Sequence, residues 1–169
     1  MEQIGFGGSC HWCTEAIFLS LRGTIEVLQG WIADAEQTDH FSEAVLVTFD
    51  PEIISLQELT AIHLYTHSCT SYHSMRDKYR SAVYCFNVAQ IGMVKNAMLG
   101  LQENFPEPII TETVIFGEFK LNTPEYQNYY YKDTTKPFCT NIINPKLNEL
   151  ISRFSNKVDL VKLTHLTSR

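Results

Sequence analysis

The chain has 169 residues, enough for one hydrophobic core and short for two, and its 44% apolar and 19% charged residues are ordinary globular proportions. A formal charge of -6 without any Lys/Arg cluster argues against a phosphate-reading surface, so no nucleic-acid partner is expected. No run of about 18 apolar residues occurs, and Met1 to Cys10 lack the basic start and apolar run of a secretory signal, so the expectation is a cytoplasmic protein with no membrane association. Five cysteines, at positions 10, 13, 69, 85 and 139, form an odd, irregularly spaced set that suits a reducing compartment and directs attention to thiol chemistry.

Ile4 to Gly8 reads as a short strand running into glycines, and Thr14, Ile17, Phe18 and Leu21 then repeat with helical period up to a C-cap at Gly23. Thr24 to Ile32 and Glu43 to Phe49 are rich in β-branched and aromatic residues and predict two paired strands across the polar stretch Ala33 to His40. Asp50-Pro51 ends the second. Ser55 and Glu58 have the spacing of a capping box and open a helix carrying Leu56, Leu59 and Ile62. The polar segment Thr66 to Asp77 is irregular, Tyr79 to Phe86 reads as a strand, and Ile91, Val94, Met98 and Leu101 mark a third helix, broken at Phe105 to Pro108. Thr111 to Phe119 is a further strand, and the aromatic stretch Tyr126 to Tyr131 fits helix or irregular structure. Asn144 before Pro145, with Leu147, Leu150, Ile151 and Phe154 following, predicts an N-capped last helix. The order suggests a single α+β domain over residues 1–169, with a ferredoxin-like (β-α-β-β-α-β) mixed sheet, helices packed on it, and extra C-terminal helical and coil elements.

Gly7-Gly8 lets the backbone turn sharply just before Cys10, where the helical pattern begins. The free N–H groups and positive dipole end of a helix start favour a thiolate, so Cys10 is a candidate nucleophile rather than a small buried hydrophobe. Cys13, one helical turn on, is close enough to pair with it.

The stretch Gly7-Gly8-Ser9-Cys10-His11-Trp12-Cys13-Thr14-Glu15-Ala16-Ile17-Phe18 resembles the Gly-Cys-Phe-Trp signature of the peptide methionine sulfoxide reductases of type A. It departs by carrying Ser9 for the last glycine and His11 for the phenylalanine. Three further stretches resemble the family in the same order: Ser42-Glu43-Ala44-Val45 with Phe49-Asp50-Pro51, then Tyr79-Arg80-Ser81-Ala82-Val83-Tyr84, then Phe138-Cys139 with Pro145-Lys146.

The resemblance implies an enzyme in which the Cys10 thiolate attacks the sulfur of methionine-S-sulfoxide, free or in peptides, leaving methionine and a cysteine sulfenic acid. Glu43 matches the family's acidic residue, which protonates the departing oxygen. Tyr79 matches a tyrosine whose hydroxyl bonds that oxygen. Trp12 matches the tryptophan that shapes the pocket for the sulfoxide methyl, with His11 beside it. Cys139 matches the recycling cysteine, and Thr134-Thr135-Lys136-Pro137 before it has the composition of a mobile loop; Cys13 remains an alternative resolving thiol. No cofactor or metal is implied, only an external dithiol, thioredoxin being the expected partner. The role would be repair of oxidised proteins.

Two departures and two rivals stand beside this reading. Gly30 to Glu43 is short and lacks a second family tyrosine, and the family's aspartate ahead of the Tyr-Arg-Ser stretch falls on Ser74, with Asp77, Tyr72 or His11 as substitutes. Cys10-His11-Trp12-Cys13 also resembles a thioredoxin-like dithiol motif, which would make the protein a thiol-disulfide oxidoreductase. Cys10, Cys13, His67 and Cys69 could be read as a zinc module. Cys69, Cys85, His40, His63, His73 and His165 are expected in structural or surface roles.

Overall fold

A computed structural model describes residues 1–167. Strand β1 (Glu2–Gly7) alternates as its sequence demands: Ile4 and Phe6 face the helices, while Gly5 and Gly7 face the other way. On that inner side space is short, and a Cβ on Gly5 would lie 2.8 Å from Ile32 Cδ1 and 2.9 Å from Tyr84 Cβ. β2 (Thr24–Asp34) and β3 (Ser42–Phe49) pair antiparallel, and β3 also pairs antiparallel with β1. β4 (Ala82–Cys85) pairs with the other edge of β1, and β5 (Glu112–Leu121) runs antiparallel to β2 and parallel to β4. The result is a closed barrel in the order β1-β3-β2-β5-β4.

Mixed α+β architecture and all five strands agree with the sequence reading, but the closure does not appear in it. β5 alternates weakly and is mostly half-buried or exposed, so nothing in its pattern announces two pairing partners. Ile32, Ala44, Ala82 and Tyr84 form one buried cluster with Val114, Phe116 and Phe119. The larger core lies on the outer face of β1, β3 and β4, under α1 (His11–Leu19), α2 (Leu56–Thr66), α3 (Val88–Leu101) and α5 (Asn144–Phe154). There Phe6 stacks on Phe18 at 4.5 Å, and full burial of such a ring stabilises by roughly 2–3 kcal/mol. Two short helices, α4 (Tyr129–Lys132) and α6 (Thr164–Thr167), complete the described chain. Among the described residues no helix is long and apolar enough to cross a membrane.

Several local signals hold. Ser55 Oγ accepts from Glu58 N (3.0 Å) and Glu58 Oε2 accepts from Ser55 N (2.9 Å), the reciprocal capping box. Others differ. α1 ends at Leu19, before Gly23, because Ser20 turns its hydroxyl back to the Ala16 carbonyl (2.6 Å) and the chain leaves to bridge Leu21 with Val158. β4 spans four residues rather than the eight from Tyr79 to Phe86, since Arg80 is drawn into ion pairs with Asp34 and Glu112. Asn144 is not an N-cap: a wide π turn (Cys139–Ile143) runs directly into α5, and Asn144 Oδ1 instead accepts from the Tyr130 hydroxyl (2.5 Å). The proline at 145 sits in the first turn of α5, where its missing N–H costs least.

Candidate active site

The end of β1 delivers the first helix to its place. Gly8 has φ +153°, and a Cβ there would run into the His67 ring, so the turn needs a glycine. Cys10 follows as the N-cap residue of α1, its carbonyl accepting from Cys13 N (3.1 Å) and Thr14 N (3.2 Å). Its thiol is lowered from the ordinary value, first by a hydrogen bond from the Cys13 thiol. The Trp12 and Cys13 backbone N–H groups add to this, against burial and the charge of Glu43. Cys13 is pushed up correspondingly, by that same bond, by burial and by the Cys10 charge, with Cys139 contributing in the same direction. One sulfur of the pair is therefore set up to ionise while the other keeps its proton.

Glu43 continues the series Val45, Val47, Phe49 on the outer face of β3, which aims its carboxylate under the start of α1. It is buried, with 5% exposure, and Oε1 accepts from the His11 backbone N–H (3.2 Å) and lies 3.3 Å from His11 Nε2. Lys78 Nζ stands 3.5 Å from Oε2. His11 is also buried: its Nδ1 is 3.0 Å from the Gly30 carbonyl, and its ring meets Trp31 edge-on at 5.2 Å. Tyr79 is half-buried, with the Lys78 ammonium 5.2 Å over its ring. That ammonium is raised by the Tyr79 hydroxyl first and by Glu43 second. Lys78 was not among the residues singled out from the sequence; its position beside Tyr79 was the only available signal.

Trp12 is stacked on Tyr129 at 4.0 Å and 6° and meets Phe138 edge-on at 5.6 Å, with Tyr126 at 5.8 Å on the same assembly. Its indole N–H is buried without a hydrogen-bond partner among the described residues. The segment carrying these rings is tied to α1 by Glu15, which accepts from Asn128 N (2.8 Å), Tyr129 N (3.1 Å) and Gln29 Nε2 (3.0 Å). Burial raises Glu15, partly offset by those three donors. Cys139 lies fully buried at the start of the π turn rather than in a loose loop, its thiol 3.5 Å from the Asp133 carbonyl and raised by that burial. The packing of Phe138 on Trp12 and of Lys136 over Tyr129 (4.4 Å) accounts for the difference.

A cleft of about 320 Å³ opens beside Cys10, lined among others by Cys13, Tyr79, His73, Met75 and Lys146. Glu43, His11 and Trp12 gather at the start of α1 beside Cys10 without lining this cleft. Ser74, Asp77 and Tyr72 do not line it, and Tyr72 is 82% exposed, so none of the substitutes outside the helix start lies at the thiol. Cys69 and Cys85 are buried and raised by that burial, Cys85 to about 12. His67 is held down to about 3 by burial, with Nδ1 at the His63 carbonyl and Nε2 2.7 Å from Ser81 Oγ. Among the described residues no three His, Cys, Asp or Glu side chains gather in a way that could hold a metal ion.

The family model for peptide methionine sulfoxide reductase matches residues 2–158. The chain is 32% identical over 174 residues to the peptide methionine sulfoxide reductase MsrA of Trichodesmium erythraeum, covering 94% of this chain and 98% of that one. It is 32% identical to that of Deinococcus radiodurans, covering 93% and 84%. Among solved structures, reduced Mxr1 from Saccharomyces cerevisiae superposes with a TM-score of 0.71 at 19% identity, over 82% of this chain and 88% of that one. Mxr1 in complex with Trx2 gives 0.58 at 20% identity, over 76% and 84%. With a match across nearly its whole length and a shared fold, the chain belongs to the peptide methionine sulfoxide reductase family.

Proposed function

We propose that the protein reduces methionine-S-sulfoxide, free and in peptides, to methionine, with Cys10 as the nucleophile. The observation that carries this is the Cys10 sulfur at the N-cap of α1, lowered by the Cys13 thiol and two helix-start N–H groups. The thiolate attacks the sulfoxide sulfur and the oxygen takes a proton. The S–O bond then breaks with transfer of that oxygen to Cys10, so that methionine sulfur gains two electrons and Cys10 becomes a sulfenic acid. Glu43 supplies the proton, Tyr79 bonds the oxygen from the cleft side, and Trp12 and His11 frame the substrate side.

Cys13, one helical turn from Cys10, is a thiol placed to condense with the sulfenic acid, releasing water. Cys139, close enough to influence Cys13, is the recycling thiol that accepts the disulfide in exchange. An external dithiol then reduces it, and the complex of the related Mxr1 with Trx2 supports thioredoxin in that role; the proposed cycle calls on no prosthetic cofactor. Five free thiols fit a reducing cytoplasm, and repair of oxidised proteins fits the family. The order β4-β1-β3-β2 within the barrel supports a ferredoxin-like core to which β5 is added, all in one domain.

The test is turnover of each sulfoxide epimer with dithiothreitol and with thioredoxin on wild type, Cys10→Ser, Cys13→Ser and Cys139→Ser. Cys10→Ser is expected to lose turnover of the S epimer with either reductant. Cys139→Ser is expected to lose only the thioredoxin-supported activity. Full activity of Cys10→Ser would end the proposal.

A further inference from the structure

We propose that His11 and Glu43 form a single proton-holding pair, and that His11 positions and supplies the proton Glu43 delivers to the substrate oxygen. This rests on the reductase reading above and deepens it. His11 Nδ1 faces the Gly30 carbonyl at 3.0 Å. A carbonyl can only accept, so Nδ1 carries a proton. Nε2 then stands 3.3 Å from Glu43 Oε1, within ion-pair distance, where an unprotonated nitrogen beside a buried carboxylate is unfavourable, so one further proton is assigned to the pair. Both partners are buried, which keeps that proton from exchanging freely with water. Phenylalanine, the residue the family signature carries at this position, could do none of this.

The groups facing the pair set what the proton does. From α1 the Cys10 thiolate opposes a bare Glu43 charge, so a pair holding one proton leaves the nucleophile less opposed than a lone carboxylate would. From the loop before β4, Lys78 lies at 3.5 Å from the other carboxylate oxygen, with Tyr79 beside it. From β2 the neighbour is the uncharged Trp31 ring. The proton balance closes on the chain itself: the proton given up by the Cys10 thiol resides on the pair and passes to the sulfoxide oxygen, which ends as the sulfenic acid hydroxyl.

The experiment is single-turnover formation of methionine from the S-sulfoxide across pH, on wild type, His11→Phe and His11→Gln. Without the imidazole, Glu43 has no neighbour from which to be resupplied with a proton, and that matters most where protons in solution are scarce. Both variants are therefore expected to lose about tenfold or more near pH 8 while staying within about threefold of wild type near pH 6. Equal loss at every pH would mean a packing role, and an unchanged profile no role; either overturns the inference while leaving the reductase reading intact. No methionine from wild type would instead overturn the reductase reading. Nitrogen-15 shifts of the His11 ring, in wild type and Glu43→Gln, provide a readout that needs no His11 variant. The Nε2 shift is expected to change when Glu43 is replaced, and an unchanged shift counts against the pair.

Discussion

Glu15 and Glu43 are both buried against the first helix, yet their surroundings differ in kind. Glu15 meets two backbone N–H groups and a glutamine amide, donors that cannot take its proton. Glu43 meets one backbone N–H and then His11 and Lys78, both of which can exchange protons. A carboxylate held by fixed dipoles is a fastening; one facing titratable partners can take part in proton transfer. Glu15 fastens the aromatic segment from Tyr126 to Phe138 over Trp12, and Glu43, on the proposed function, serves the chemistry at Cys10.

The sharpest break of that contrast is exchange of the two effects. Glu43→Gln is expected to lower the single-turnover rate by about 10²- to 10⁴-fold, the usual contribution of a general acid, with little change in the unfolding midpoint. Glu15→Ala should do the reverse. It strands three buried donors, and urea unfolding is expected to show a loss of about 4 kcal/mol. Comparable activity loss without destabilisation in Glu15→Ala would erase the distinction.

A third carboxylate sharpens it. Asp34 is buried and accepts from Glu36 N and Gln37 N at 2.8 Å each and from Arg80, a permanent cation. Burial raises it, but Arg80 and the two amides win, and it is held below its ordinary 3.8. Its stabilisation is therefore complete above the ordinary value and is lost as pH falls through the depressed one. Asp34→Asn should cost about 2 kcal/mol at neutral pH, and the deficit should shrink as pH falls below the ordinary carboxylate value, as read by urea unfolding at several pH values. The smallest effect belongs to the capping box, where Ser55→Ala should cost about 1 kcal/mol and leave turnover unchanged.

Much of this was readable from the chain. The β2–β3 pair and the capping box at Ser55 each rest on local pattern, and local pattern survives folding well. What escaped depends on contacts distant in sequence. Tyr129 and Phe138 reach Trp12 only after more than a hundred residues, and Lys78 reaches Glu43 across the whole of α2 and the loop behind it. The Glu15 position stood inside the motif, but its partners at 128 and 129 could not be found by spacing. The π turn before α5 defeated the reading of Asn144 as a cap because Pro145 marks the first turn of a helix equally well when a wide turn precedes it.

Closure of the sheet by β5 has a consequence for the company such a protein keeps. β3 is paired on both sides over Ala44–Phe49, and β5 is shared between β4 over Glu112–Ile115 and β2 over Phe116–Leu121, so the unpaired stretches of edge offered to an extended chain are short and interrupted. On the proposed function the substrates would include partly unfolded chains with strand-forming segments. Short, interrupted edges would then let a methionine side chain reach the thiol while giving the chain around it little backbone to pair with.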